Sequence, residues 1–221
     1  MISLQDVKDA QARIAPYVVR TPLLRIPALD APLGCQVYLK FEGFQVMGAF
    51  KIRGAMNKAL ALTPQQRSHG LVCASSGNHA QGVACAAQRL GVRSVIVMPT
   101  NANPVKLAGV KSFGGEVELV GTLSSQREAR AEELSREEGM VNIHPYADPY
   151  VAAGQGTIGL EIVADLPDAA AVAVPIGGGG LISGVATAVK GLSPSIRTIG
   201  VEPAGAPRYG KSRAAGEPVA L

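Results

Sequence analysis

The chain has 221 residues, 47% of them hydrophobic and 17% charged, with a net charge of +4. That length holds one large domain or two small ones, and that apolar content builds a core and excludes a disordered tail. The positive charge comes from scattered Lys and Arg rather than a basic block, and 4% aromatic content leaves few platforms for stacking bases, so a nucleic-acid partner is not expected.

The first residues, "MISLQDVKDAQARIAPYVVR", lack the apolar core of a signal peptide, and no run reaches the roughly 18 apolar residues of a membrane span. A cytoplasmic protein with no membrane partner is expected. Cys35, Cys73 and Cys85 show no CxxC or Cys/His spacing, which predicts buried free thiols in a reducing compartment and no zinc site.

Along the chain, the β-branched runs "QVYLKF", "GLVCAS", "RSVIVMP", "GEVELVG", "AVAVPI" and "RTIGVE" alternate with "GAFKIRGAMNKALAL", "NHAQGVACAAQRL", "SSQREARAEELSREEG" and "LISGVATAVKGL". Strands separated by segments of helical length predict an α/β fold with parallel strands and helical crossovers. Six charges between Arg127 and Arg136 predict a solvated helix face. Pro and Gly cluster at element ends, as in "VMPTNANP" and "IHPYADP", where turns are expected.

Three stretches carry chemistry. In "MGAFKIRGA", Lys51 sits among Gly48, Ala49, Phe50, Ile52 and Gly54, small and apolar neighbours that admit a planar group and favour the neutral, nucleophilic amine; a surface lysine is the plainer alternative. In "ASSGNHAQG", Ser75, Ser76, Gly77, Asn78 and His79 stand at a strand end before a helix, as N-caps or as a cluster of donors for a carboxylate. His79 there is either a base or a packing residue. In "VPIGGGGLISG", Gly177 to Gly180 and Leu181 lie between a strand and a helix, so converging backbone N–H groups suit a phosphate. The alternatives are a hinge or a dinucleotide turn, which Gly178, Gly180, Gly184 and Glu202 imitate only loosely. An activated lysine combined with a phosphate loop points to a Schiff base with pyridoxal phosphate.

The ordered strings "KFEGFQVMGAFKIRGA", "SSGNHAQGVA", "VMPTNANPVKLAGVKSFGGEVELVG", "AGQGTIGLEI" and "VPIGGGGLISG" closely resemble the fold-type II pyridoxal-phosphate enzymes of the threonine/serine dehydratase and serine racemase family, from about residue 17 onward. The resemblance implies a fold like the tryptophan synthase β subunit, with two three-layer α/β/α domains and mostly parallel sheets. Residues 1–67 and 147–221 would form a larger, C-terminally incomplete domain, and residues 68–146 a smaller one. It further implies that Lys51 carries the cofactor, Phe50 packs by its ring, Asn78 bonds its 3-hydroxyl, Gly177 to Gly180 with Leu181 hold its phosphate, and Ser75 to His79 clasp the substrate carboxylate.

The implied activity is conversion of L-threonine or L-serine to a 2-oxo acid and ammonia, with Lys51 as the base and a small amino acid as the partner. Ser76 occupies the position of the second acid or base in serine racemases, which keeps racemisation open, and an impaired protein that only binds cofactor or amino acid is a further alternative. The family's divalent cation would find Glu202 and the Ala206 carbonyl here as weak candidates, but Arg208 replaces the third ligand, so a cation is left open and none is claimed. Family catalytic domains continue past "GEPVAL", and the residue facing the pyridine nitrogen has no counterpart in this chain. An open sheet edge would favour a homo-oligomer.

Overall fold

A computed structural model describes residues 1–217 and 219. Pro218, Ala220 and Leu221, the end of the expected larger domain, lie outside the described residues.

In chain order the elements are α1 (Leu4–Ile14), β1 (Leu23–Arg25), α2 (Asp30–Leu33), β2 (Tyr38–Lys40), α3 (Lys51–Ala61), α4 (Pro64–Ser68), β3 (Leu71–Ala74), α5 (Asn78–Leu90) and β4 (Ser94–Met98). They continue with α6 (Pro104–Ser112), β5 (Glu116–Leu119), α7 (Ser124–Glu138), β6 (Val141–Asn142), α8 (Pro149–Asp165), β7 (Ala171–Pro175), α9 (Gly180–Leu192), β8 (Arg197–Val201) and α10 (Arg208–Ala215). All six β-branched runs form strands. "QVYLKF" departs from the parallel expectation, since β2 pairs antiparallel with β1, Leu24 opposite Leu39.

The chain divides into two compact units, residues 13–143 and residues 1–12 with 144–221. This division differs from the expected one, which placed residues 13–67 with the C-terminal part. The physical reason lies in α3, which packs on α5 through close contact at Gly82.

In the unit of residues 13–143, a parallel sheet runs in the order β5-β4-β3-β6. Val72 pairs with Val95 and Ala74 with Val97, so the alternation of side chains sends Val72, Val95 and Val97 to one face. There they pack with Ala131 and Leu134 of α7 and with Met140. Leu71, Cys73, Ile96 and Met98, also buried, point to the other face, where α5 contacts β3 and β4. Burial on both faces explains why β3 and β4 read as continuous apolar runs. Each buried Val, Leu or Ile contributes roughly 1.5–3 kcal/mol.

Two expectations are corrected here. Arg127 on α7 is buried rather than solvated: its guanidinium donates to the Thr122 and Leu123 carbonyls, both at 3.0 Å, and so closes the turn before its own helix. Cys35 is exposed, because it follows the short α2 in a surface turn, whereas Cys73 and Cys85 are buried as predicted.

The unit of residues 1–12 and 144–221 is built on α8 and α9, whose backbones meet at glycine. A Cβ on Gly184 would lie 2.1 Å from the Ala152 oxygen and 2.6 Å from the Gly156 nitrogen, and one on Gly159 would lie 2.9 Å from the Ala188 Cβ. Val7 and Ala10 of α1 pack with Ala153, Leu160 and Ala188 beside this seam. Helix α9 is also the crossover between parallel strands β7 and β8, in register from Ala171 opposite Arg197 to Pro175 opposite Val201.

Candidate active site

Lys51 is the first residue of α3, and Phe50 caps that helix without a side-chain hydrogen bond. Gly48, at φ 74°, makes the left-handed turn that swings the chain into the helix. Side chains on a helix lean toward its N-terminus, so the Lys51 ammonium returns toward Phe50, 5.4 Å from the ring centroid. Burial lowers the Lys51 pKa from the ordinary lysine value.

The helix behind this lysine is fixed by a buried ion pair. Arg53 is fully buried and grips Glu42 with two bonds, Nε to Oε2 at 2.9 Å and Nη2 to Oε1 at 2.8 Å. Thr21 Oγ1 donates to the same carboxylate at 2.6 Å, and Gln45 exchanges two bonds with the Val19 backbone, both 2.8 Å. Thus segment 19–21 and the loop before Lys51 are tied to one side chain two residues past it.

The Ser75–His79 stretch joins β3 to α5. Gly77 precedes the helix, and a Cβ there would meet no protein atom within 4 Å, so its side is open. Ser76 and Asn78 are exposed and Ser75 is half-buried. His79 points the other way: it is buried, and its Nε2 lies 2.7 Å from the Ile143 carbonyl, which makes Nε2 the protonated nitrogen. One turn on, a Cβ at Gly82 would lie 3.2 Å from the Lys51 carbonyl carbon. The structure thereby brings the lysine stretch and the serine–asparagine loop together in one unit.

The glycine loop belongs to the other unit. It leaves β7, where Ile176 N–H donates to the Val201 carbonyl at 2.7 Å, and enters α9 through Gly179 at φ 89°. Gly179 supplies no side-chain cap, so the first N–H groups of α9 are left for another acceptor. The Tyr146 ring lies against the loop: a Cβ at Gly178 would fall 2.2 Å from it, and one at Gly180 would fall 2.9 Å from the Tyr146 Cα. Gly177 faces open space. Tyr146 was legible only as part of the turn "IHPYADP", because an aromatic residue in a turn carries no mark of the glycines it covers.

Glu202 holds the start of the last described helix. Its carboxylate accepts the Tyr209 and Gly210 N–H groups at 2.9 and 2.7 Å and so caps α10. Among the described residues no group of three His, Cys, Asp or Glu side chains converges to hold a metal.

Residues 14–221 match the family model described as pyridoxal-phosphate dependent enzyme. The chain belongs to this family. The cofactor of these enzymes is pyridoxal phosphate, and the fold is that of fold-type II members. The chain is 47% identical to the L-threonine ammonia-lyase of Thermotoga maritima, over 91% of its own length and 50% of the relative's. It is 44% identical to a serine racemase of Oryza sativa subsp. indica, over 99% of itself and 64% of that protein. Among solved structures it superposes on maize serine racemase with a TM-score of 0.97 at 45% identity, covering 99% of this chain and 67% of that one. The corresponding values for a T.th. threonine deaminase are 0.93, 49%, 100% and 71%. The chain therefore spans between half and about two-thirds of the length of the curated relatives it matches.

Proposed function

We propose that this chain carries the lysine, loop and glycine-turn machinery of an ammonia-lyase that turns L-threonine or L-serine into a 2-oxo acid and ammonia. The observation that carries the reading is Lys51, half-buried at the head of α3 against Gly82 in the same unit as the Ser75–Asn78 loop, whose Ser76 and Asn78 are exposed. Burial that disfavours the ammonium leaves Lys51 an amine able to hold an aldehyde and, once released, to take a proton from carbon.

The residues present fit pyridoxal phosphate. Lys51 would hold its aldehyde with Phe50 beside it, Asn78 would meet its ring oxygen, and Gly177 to Gly180 with the Leu181 N–H would hold its phosphate. A left-handed Gly179 at a helix start without a side-chain cap suits that anion. When bound, the cofactor supplies an electron sink for the pair left at the substrate's α-carbon.

The protein's own groups do the rest. Ser75, Ser76, Gly77 and Asn78 hold the substrate carboxylate with hydroxyl, amide and backbone donors, which turns the Cα–H toward Lys51. Lys51 Nζ takes that proton. His79, spent on the Ile143 carbonyl, holds the start of α5 in place. The β-hydroxyl leaves as water with the proton that Lys51 Nζ has taken, and hydrolysis of the released enamine then consumes one water and frees ammonia.

Ser76 carries a second reading. Its hydroxyl is exposed, and a serine racemase is among the similar proteins at 44% identity. Incubation with L-serine or L-threonine separates the readings: the lyase accumulates oxo acid, the racemase D-isomer, and a protein that only binds produces neither. Association of copies belongs to the same proposal, supported by exposed Phe44 and by Ile199 and Val201 on β8. A cytoplasmic location is likewise proposed, supported by the two buried thiols. Among the described residues no helix is long and apolar enough to cross a membrane.

A further inference from the structure

We infer that Lys106 is a positioning residue that sets which end of the Asn78 amide faces the cofactor, so that the site selects the deprotonated form of the ring oxygen. This rests on the reading above, in which Asn78 meets that oxygen.

Lys106 Nζ lies 2.6 Å from Asn78 Oδ1, across from α6 to the first residue of α5. An ammonium has donors only, so the amide atom facing it must be the oxygen, and the side chain cannot turn over without setting N–H against N–H. The other end of the planar amide, Nδ2, offers donors only. A ligand atom seated there has to accept, and a phenolate oxygen accepts better than a phenol. The ammonium also draws charge out of the amide, which strengthens its N–H groups as donors.

This lysine is held in place rather than swinging free on the surface. Helix α6 begins with Pro104 at its first position and with Asn103 Oδ1 accepting the Val105 N–H at 2.9 Å, so Lys106 stands in a fixed first turn. Three residues along each helix the contact repeats: a Cβ at Gly109 would fall 2.8 Å from the Gln81 side chain. Lys106 over Asn78 and Gly109 over Gln81 are thus two rungs of one packed pair of helices. The signal was in "NPVKLAG", but a lysine three residues past a helix cap looks like any solvated lysine until its partner is known.

The test uses the full chain with Lys106→Met, Lys106→Arg, Asn78→Ala and the Lys106→Met/Asn78→Ala double variant. Lys106→Met is expected to weaken pyridoxal phosphate about five- to tenfold, as loss of one charge-assisted hydrogen bond implies. At fixed pH it also shifts cofactor absorbance from the visible toward the near ultraviolet, and Lys106→Arg restores most of both. In the Asn78→Ala background Lys106→Met changes neither quantity further. An equal loss in that background, or unchanged affinity and spectrum in Lys106→Met alone, overturns the inference.

A second arm needs no cofactor. In nitrogen-15 spectra the Asn78 side-chain amide protons shift and exchange faster in Lys106→Met, whose melting temperature stays that of the parent; unmoved signals overturn the inference. If the parent protein takes up no pyridoxal phosphate, the functional reading fails by itself, and the amide signals still decide whether Lys106 positions Asn78.

Discussion

A Cβ on Gly82 would stand 3.2 Å from the carbonyl carbon of Lys51 and 3.4 Å from the Lys51 Cβ. Helix α5 therefore touches α3 backbone to backbone at the residue proposed to hold the cofactor. Gly82→Leu would drive the two helices apart at that point. It is expected to cost about 1–3 kcal/mol, read as a lower urea midpoint with unchanged slope.

Lys51→Ala is expected to remove the visible absorbance of the cofactor-loaded protein together with borohydride-fixable label, and to reduce lyase turnover to background. A visible band and turnover that both persist would show that another group holds the aldehyde.

The same lysine makes a pH prediction for the protein without cofactor. Its pKa is lower folded than unfolded because burial disfavours the ammonium, so between the two values the unfolded chain binds more protons and stability rises with pH. The neutral variant Lys51→Met escapes this penalty. Its stability advantage over the parent is greatest below the folded pKa and shrinks as pH climbs toward the ordinary lysine value of 10.5, as denaturation at a series of pH values will measure.

Neighbouring glycines in the turn proposed to hold the phosphate should respond differently. Gly178→Ala sets a methyl 2.2 Å from the Tyr146 ring and must displace it, at about 1–3 kcal/mol, whereas Gly177→Ala meets no protein atom within 4 Å. The second variant keeps the parental melting temperature but loses affinity for pyridoxal phosphate, because its methyl enters the space proposed for the ligand. Calorimetry with a cofactor titration separates folding from binding.

Removing one member of the Arg53–Glu42 pair strands a charge in the interior. Glu42→Leu is expected to destabilise by about 3–5 kcal/mol, while the double change Arg53→Met with Glu42→Leu recovers most of the loss. A double change as costly as the single one would mean that the bonds to Thr21 and Val19, rather than charge burial, dominate.

Much of the fold was legible because both faces of β3 and β4 are covered, which writes unbroken apolar runs into the sequence. Helix α8 was not, since Gly154, Gly156 and Gly159 are poor helix formers whose conformation is set by packing. Arg127 deceived for a related reason: a charge that satisfies carbonyls at its own helix start is indistinguishable, in one sequence, from a solvated one. In the site, Lys51 and the glycines announced themselves by chemistry. Tyr146, Gly82 and Lys106 did not, because each acts on a partner at least 28 positions away.

The contact of Gly184 with Ala152 and Gly156 leaves no rotamers to thaw. Warming cannot loosen it by degrees, as it would a seam of leucines; the two helices either stay welded or part completely. The direction in which the head of α9 aims its amide hydrogens should therefore hold steady right up to the melting of that unit, and then vanish with it.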